Sequence, residues 1–332
     1  MKNDNSRILS FFAVIGIIVV LLMYKKNLIH LNTEDLGDFA SIFTSIVLEA
    51  IPFIIIGSFI SGIIQIFISE EIIAKLIPNS RILGYLGAAL VGLIFPVCEC
   101  AIIPITRSLM KKGVPVGFGV TFMLSVPIIN PIVIMSTYYA FYDKQSMVIL
   151  RTVGGFVAAI LIGIIVNALE EKNDGVILNT IKNDYYCNCG CNNSFGKENK
   201  FKAIFEHTSR EFLDIMGYLI FGAFISSGFQ VISSQGGFNF IFSSKILTII
   251  FMMFLGFTLS LCSEADAFVG RSFLENYSYS GVAAFLILGP MLDLKNLIML
   301  FGAFKKSFVF KLVISTISIV FIICCLFAIC GI

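Results

Sequence analysis

Residues Gly92 to Met110 read GLIFPVCECAIIPITRSLM, and this stretch decides how the chain is interpreted. An apolar run of this length suits a membrane span, but Pro96 and Pro104 each remove a backbone donor and are expected to kink or break a helix. Glu99 and Arg107 are costly at bilayer depth, at roughly 2.5 to 3.5 kcal/mol each on insertion scales. The stretch is therefore typical of a broken helix that lines a transport site.

An altered copy of this stretch follows at Gly256 to Phe273, which reads GFTLSLCSEADAFVGRSF. Further matches lie upstream and downstream of it, in the same order and at nearly constant spacing. The aligned pairs are Gly57 and Gly222, Cys98 and Cys262, Cys100 and Glu264, Arg107 and Arg271, and Asn130 and Asp293. Such collinear matches predict an internal duplication, which is the common plan of secondary transporters.

The composition excludes a soluble globular domain. Of the 332 residues, 58% are hydrophobic and 13% are charged, against roughly 25% charged in a soluble domain. The mean hydropathy is +0.95, and a chain of this length holds about nine hydrophobic segments at roughly 20 residues per span. The net charge is only +2 and no basic run occurs, so no nucleic-acid partner is indicated.

The hydropathy profile divides the chain into four parts. The first apolar segment lacks a small-residue cleavage site, so we interpret it as a retained helix and not as a cleaved signal peptide. The parts are an N-terminal transmembrane helix and loop (1–37), a first repeat (38–169), an extramembrane connector (170–206) and a second repeat (207–332). This division predicts an all-α polytopic membrane protein with two homologous halves and one additional N-terminal helix.

Two topologies are open for the cysteine-containing elements. If they are re-entrant hairpins, each half crosses the membrane three times and the second half is inverted. If they span, each half crosses four times and the repeats are parallel. The hairpin arrangement places Lys111, Lys112, Lys305 and Lys306 with the connector on the cytoplasmic side, so the lysine and arginine distribution favours inverted repeats in a bacterial cytoplasmic membrane.

Three cysteines are candidates for binding a solute. Cys98 and Cys100 point about 200° apart on a regular helix, but they converge if the backbone there is unwound. The duplication brings Cys262 to the same region. Thiolates are soft donors that suit Cu(I), zinc, trivalent arsenic or mercury, whereas hard cations prefer oxygen. The competing interpretation is that these cysteines fill small gaps at a helix crossing.

Carboxylates accompany the cysteines in both copies. We assign Glu99 to substrate binding, and Glu264 and Asp266 to proton coupling or to charge pairing. The candidate partners of these carboxylates are Arg107 and Arg271. Three polar residues lie in the broken segments that follow, namely Asn130, Asp293 and Lys295. We expect them either to contact the solute or to cap helix ends.

The connector carries CNCGC, and its Cys187, Cys189 and Cys191 indicate an accessory metal-capture site. No P-loop, nucleotide fingerprint or nucleophile elbow occurs in the sequence, so we expect neither an enzyme nor a bound cofactor. Coupling to ATP would require another chain.

Four motifs carry a family resemblance: FPVCECAIIPITRSLMKKG, FMLSVPIINPIV, LCSEADAFVGRSF and LGPMLDLKNLIML. Over about residues 38 to 310, the chain resembles the predicted permease family that includes the bacterial organoarsenical efflux permeases. Its CSEADAF and GPMLDLKN motifs are similar to those of uncharacterised members. Glu99 stands where that family usually has a small residue between the cysteines, which favours a cationic solute over a neutral organoarsenical.

The resemblance implies a membrane permease that exports a small thiophilic solute, such as an organoarsenical, a mercurial or a soft metal species. Proton-coupled alternating access through the two halves is the expected mechanism. Two alternatives stay open at this point. The chain could be a metal or sulfur-compound permease that acts with a partner subunit or as a homo-oligomer, or a membrane protein that passes electrons through its thiols.

Overall fold

The structure is a computed structural model that describes residues 33–67, 81–93, 99–170, 176–177, 197–235, 244–274 and 276–330. The N-terminal apolar segment, Cys98 and the CNCGC motif lie outside these ranges, so the predictions made for them stay predictions. The described residues are almost entirely helical, as the sequence predicts for a polytopic membrane protein.

The helices of the first half are α1 (Thr33–Phe67), α2 (Arg81–Leu90), α3 (Glu99–Lys111), α4 (Val116–Ile129), α5 (Pro131–Ala140) and α6 (Ser146–Leu169). Those of the second half are α7 (Lys197–Gln235), α8 (Lys245–Leu259), α9 (Asp266–Phe273), α10 (Tyr279–Met291), α11 (Leu294–Ala303) and α12 (Lys306–Ile329). A short 3₁₀ turn, Val91–Leu93, extends α2. The described helices of each half therefore follow one order, with a long helix first, four shorter helices next and a second long helix last.

Four helical segments among the described residues are long and apolar enough to cross a membrane: Gly37–Ile64, Ser146–Leu169, Tyr279–Ala303 and Lys306–Ile329. The α4 and α5 helices meet at a bend of 40° and together would make a fifth span. A fully apolar helix of this length is stable in lipid because all its backbone groups are paired internally. These spans confirm the prediction of an all-α membrane protein.

The break between α4 and α5 has a clear cause in the sequence. Asn130 leaves the helical conformation with φ −51° and ψ 126°, and its side chain accepts a hydrogen bond from the N–H of Ile132 at 3.0 Å. Pro131 is the first residue of α5, where its missing N–H costs nothing. In the second half, Asp293 caps α11 in the same way by accepting from the N–H of Asn296. Both breaks were predicted from the sequence.

The cysteine-containing element of the second half is also broken. The α8 helix ends at Leu259, and Ser260 has a left-handed backbone with φ 47°, which is unusual for a residue other than glycine. Residues 261–265 are non-helical, and α9 begins at Asp266. In the first half, however, α3 begins at Glu99 and runs through Pro104, so of the kink or break expected at this proline a break does not occur. The unwound backbone expected between the two prolines is wrong for residues 99–104, which are helical. Pro104 removes only the donor to one carbonyl, that of Cys100, and the helix continues.

The two halves contact each other through several helix pairs. The pairs α1 and α7, α4 and α10, and α6 and α12 are in contact. In addition, α3 of the first half packs against α11 of the second, and α9 of the second packs against α5 of the first. The helix that follows each cysteine stretch, α3 or α9, thus lies beside the last short helix of the other half, α11 or α5.

Candidate functional site

A cavity of about 280 Å³ lies between the long helix α1 and the interrupted elements of the second half. One wall is formed by α1 and includes Ser41, Ser45 and Glu49. The remaining wall combines side chains from α3, α7, the 260–265 break and α11, namely Cys100, Gln230, Ser260, Leu261, Cys262, Ala265 and Lys295. The cavity is therefore built from both halves of the chain.

Two of the predicted thiols, one from each half, are in the wall of this cavity. Cys100 is in the first turn of α3 and is almost fully buried, while Cys262 lies in the break after α8 and is half-buried. Neither forms a disulfide. A solute in the cavity can therefore contact a soft donor from either half.

Lys295 supplies a positive charge at the cavity wall. Its Nζ lies 3.2 Å from Oε1 of Glu99 and 3.8 Å from Oδ2 of Asp293. All three side chains are at least 95% buried, and buried charges of this kind are tolerated only when they are paired. The Glu99–Lys295 contact joins α3 of the first half to α11 of the second.

The broken end of α8 positions Lys295. The hydroxyl of Ser260 accepts hydrogen bonds from the N–H groups of Leu294 and Lys295, at 3.1 and 3.4 Å. Gln230 of α7 donates to the carbonyl of Leu259 at 2.7 Å and so pairs a group at the end of α8. Three elements thus meet where the lysine enters the cavity.

Two glycines let the long helices approach these elements closely. A Cβ atom on Gly57 of α1 would lie 2.8 Å from the carbonyl oxygen of Ala101 in α3. A Cβ atom on Gly222 of α7 would lie 3.1 Å from Cα of Lys295. The sequence alignment pairs these two glycines, and each brings a long helix against an element that carries one member of the Glu99–Lys295 pair.

A second buried ion pair lies away from the cavity. One nitrogen of Arg151 contacts both carboxylate oxygens of Asp266, at 2.8 and 3.0 Å, and also donates to the carbonyl of Ser263 at 2.9 Å. The other terminal nitrogen donates to Thr137 Oγ1 at 2.7 Å. The side chains of Arg151 and Asp266 are 1% and 3% exposed. This network ties α6 and α5 of the first half to α9 of the second.

A cluster of three side chains lies at the cavity, and two of them, Glu49 and Cys262, are in its wall. The thiol of Cys262 donates to Oε2 of Glu264 at 3.7 Å. Glu49 joins them, and one ligand atom from each residue lies within 4.8 Å of the other two. We call Glu49, Cys262 and Glu264 the outer cluster.

The profile of a family described as "Predicted permease" matches residues 35–329 of the chain. The chain belongs to this predicted permease family. A relative from Bacillus subtilis (strain 168), the UPF0718 protein YcgR, is 44% identical to the permease over 280 residues, which are 84% of this chain and 93% of that protein.

A second relative, from Streptococcus mutans, is named "Putative two-component membrane permease complex subunit". It is 37% identical to this permease over 300 residues, which are 90% of this chain and 96% of that protein. No solved structure matches the chain. These relatives confirm the family resemblance that the sequence motifs predict.

The arginines of the permease have different surroundings from those expected. Arg271 forms its ion pair with Asp143 in the α5–α6 loop, at 2.8 Å, and does not reach Glu264 or Asp266. The reason is geometric, because five residues turn an α-helix by about 140° and so place Arg271 on a different face of α9 from Asp266. Arg107 is half-buried two turns after Glu99 on α3, and the partner of Glu99 is Lys295.

The loop ion pair also affects titration. The hydrogen bond from Arg271 and the nearby guanidinium charge lower the pKa of Asp143 below its ordinary value of 3.8. Because both side chains are about one third exposed, this contact lies in water and is weak.

Asn130 and Asp293 act as helix caps in the permease. This is the second of the two roles that the sequence left open for them. The wall of the cavity, as far as the structure describes it, contains neither residue. Direct contact of Asn130 or Asp293 with a solute therefore stays a prediction. Asp293 has an additional electrostatic role, since it shares Lys295 with Glu99.

Sequence reasoning missed Glu49 and Arg151. Each is an ionisable residue inside an otherwise apolar span, Gly37–Ile64 for the glutamate and Ser146–Leu169 for the arginine. A charge at such a position is itself a signal of function or of a buried partner. That signal was available for both residues. Glu49 lies in the duplicated stretch that also contains Gly57, whereas Arg151 belongs to no motif of the duplication.

Proposed function

We propose that this permease of the bacterial cytoplasmic membrane exports a small thiophilic cation in exchange for protons. The observation that carries the proposal is the pair of thiols from different halves, Cys100 and Cys262, in one cavity. Thiolate donors select soft or borderline species and disfavour Na⁺, Mg²⁺ and Ca²⁺.

Neighbouring charges favour a cation over a neutral solute. Glu49 lines the cavity and Glu264 lies within ligand distance of it, while the one cavity-lining lysine of the described residues already contacts Glu99 and Asp293. An entering cation would therefore meet two carboxylates that no described basic side chain neutralises.

The thiol chemistry supplies a route for the proton. A thiol must lose its proton before the sulfur binds a cation, and the released proton needs an acceptor. The Cys262 thiol already donates to Glu264, so its proton can pass to that carboxylate as the sulfur bonds to the solute. Glu264 then releases the proton to the side from which the solute entered, and its carboxylate is free again. When the solute leaves on the other side, the Cys262 sulfur takes up a proton from that side. Each transport cycle thereby moves one proton in the direction opposite to the solute.

Alternating access would use the two halves as the moving units. The crossed contacts, α3 with α11 and α9 with α5, support a duplicated plan, because each half uses the same two elements to reach the other. The identical order of helices in the two halves supports it further. The lysine and arginine distribution favours the inverted orientation of the two repeats. Opening the cavity to one side and then the other requires these crossings to shift.

A partner subunit is a second component of the proposal. The name of the Streptococcus mutans relative describes a subunit of a two-component complex, and this permease is 37% identical to that relative. We infer that the permease also works with a second chain. Co-purification of a discrete second protein at a constant ratio with the tagged permease would support this, and full transport by the permease alone in proteoliposomes would contradict it.

Flux measurements in everted membrane vesicles test the proposal. The panel contains trivalent arsenicals, mercurials and divalent zinc and cadmium, with a pH gradient imposed. We expect uptake of at least one of these species, loss of that uptake in Cys100→Ser and Cys262→Ser, and normal uptake in Cys324→Ser. Cys324 is a buried thiol in the terminal helix α12, so it controls for the substitution itself. Uptake by both site variants at the parental rate would contradict the proposal.

A further inference from the structure

We infer that Glu49, Cys262 and Glu264, the outer cluster, form a coordination site for a zinc-like divalent cation. This inference rests on the proposed function, since it names the class of the cation and the residues that hold it. It also adds a ligand, Glu49, that lies on a different helix from any of the predicted site residues.

The spacing of the three ligands fits a small divalent ion. Tetrahedral zinc has metal–sulfur bonds of about 2.3 Å and metal–oxygen bonds of about 2.0 Å, which separate a sulfur from an oxygen ligand by roughly 3.5 Å. The Cys262 sulfur is 3.7 Å from the Glu264 oxygen, and all three ligand atoms are within 4.8 Å of one another. A shift of about 1 Å in the flexible Glu49 side chain would complete the arrangement.

The local charge also favours a divalent cation. Two carboxylates held this close repel each other, and a shared cation removes that repulsion. Within the described part of the chain, neither Glu49 nor Glu264 takes part in an ion pair, whereas Lys295 contacts two other carboxylates. The cluster therefore has a charge of −2 with the thiol protonated, or −3 with the thiolate, and no nearby cation that is committed to it.

The ligand set determines which ions fit. One sulfur and two carboxylate oxygens suit zinc and its close analogues cobalt and cadmium. Magnesium requires six oxygen ligands in near-octahedral geometry, and Cu(I) prefers several sulfurs, so both are poorly matched. Three protein ligands leave the fourth tetrahedral position open to the cavity, and an ion bound in this way can exchange ligands and leave again.

The three ligands come from two elements that are able to separate. Glu49 belongs to α1, while Cys262 and Glu264 belong to the break between α8 and α9. A bound ion would draw α1 toward the break and close the cavity that lies between them. Binding at this site is thus coupled to the opening and closing of the cavity.

Cobalt titration of the purified full-length permease in lipid nanodiscs tests the site directly. Co²⁺ is the probe, because a cobalt–thiolate bond gives a charge-transfer absorption in the near ultraviolet that a purely oxygen-bound ion lacks. We expect this band in the parent protein, its loss on addition of Zn²⁺, and its absence in Cys262→Ser. Glu49→Gln and Glu264→Gln should weaken Co²⁺ binding at least about 100-fold, more than the loss of a residue that only orients a ligand.

Matched controls separate ligand loss from general damage. Asp38→Asn removes another exposed carboxylate of α1, and Cys324→Ser removes a thiol of α12, and both should bind Co²⁺ as the parent does. Parental binding by Glu49→Gln would overturn the inference, and so would a charge-transfer band that survives in Cys262→Ser.

The binding and flux experiments fail separately. Parental Co²⁺ binding by Glu49→Gln, together with flux that still depends on Cys100 and Cys262, would overturn the coordination site and leave the proposed transport in place. Tight Co²⁺ binding by the outer cluster without flux of any panel species would confirm the site and contradict the proposed function.

Discussion

Two buried ion pairs connect the halves of this permease, and their surroundings are different. Arg151 forms an ion pair with Asp266 and donates hydrogen bonds to Thr137 and to the carbonyl of Ser263. The arginine thus has three fixed partners, and it is not in the cavity wall. Lys295 is at the cavity wall and is shared between two carboxylates, at 3.2 and 3.8 Å. The first pair has one arrangement available, whereas the second has at least two.

This difference indicates which charges are structural and which take part in transport. A planar guanidinium with fixed partners holds helices in place, while a lysine on a flexible stem can move between acceptors. A cation that enters the cavity would repel Lys295 and change its distribution between Glu99 and Asp293. We therefore expect the Arg151 pair to stabilise the fold and the Lys295 pair to respond to the solute.

The largest effect is expected for Arg151→Met. This change leaves Asp266 buried without its cation, which costs about 3 to 5 kcal/mol of stability. The measurement is membrane abundance and thermal unfolding in detergent. The double variant Arg151→Met with Asp266→Leu replaces both charges by apolar side chains, and it should recover most of the stability and keep transport. A stable double variant without transport would show that this pair is more than structural.

Lys295→Met should cost less stability, about 3 kcal/mol, because water from the cavity can partly solvate the groups that remain. The double variant Lys295→Met with Glu99→Gln should recover stability but remain inactive, since the mobile charge is gone. Vesicle flux and thermal unfolding of the same preparation give both quantities. Active transport by this double variant would remove the distinction between the two pairs.

The sequence predicted the helical class of the fold and the positions of several helix breaks. The helix break at Asn130 follows from local proline and asparagine signals, so it could be located without a structure. The break after α8 was expected only because this stretch is the second copy of the cysteine site, and no local residue indicated Ser260. Pro104, where a kink or a break was expected, does not break α3, because a single proline frees one carbonyl and does not have to end a helix. Local chemistry thus predicts that a break is possible, while packing decides whether it occurs.

The partners of the charges were less predictable. Glu99 and Lys295 are almost two hundred residues apart, and no local pattern joins them, although both were noticed individually. Arg151 was overlooked because it lies outside the duplicated motifs, and Glu49 was overlooked because its motif carries none of the cysteines. Pairing of this kind depends on which helices cross, and helix crossings are not encoded in periodicity.

A smaller loss of stability is expected when alanine replaces Gly57 or Gly222, the two glycines that the sequence alignment pairs. These substitutions compare how closely the long helix of each half packs. Gly57→Ala places a methyl group 2.8 Å from a backbone oxygen of α3, so α1 must move, at a cost of about 1 to 3 kcal/mol. Gly222→Ala meets the backbone of Lys295 at 3.1 Å, and the gain in helix propensity offsets much of that contact. Thermal unfolding should rank Gly57→Ala well below Gly222→Ala, and the reverse order would contradict this packing.

The smallest effect is expected at the exposed pair, Asp143 and Arg271. Because the pKa of Asp143 is lowered in the folded protein, its contribution to stability is present above the ordinary pKa of 3.8. The contribution is lost as the pH falls through the lower folded value. Asp143→Asn should therefore unfold at nearly the parental temperature at pH 7, and the small difference should vanish at still lower pH, near 2. A large loss at pH 7 would show that this surface contact acts as a structural pair.

Protection of the cavity thiols tests the central claim most directly. In the parent permease, the rates at which a small maleimide alkylates Cys262 and Cys324 are measured separately by mass spectrometry of their peptides, with and without each species of the transport panel. The account predicts that the transported cation slows alkylation of Cys262 at least tenfold and leaves Cys324 unchanged. Equal alkylation rates for Cys262 with and without a species that the parent transports would contradict the claim that the solute binds in this cavity.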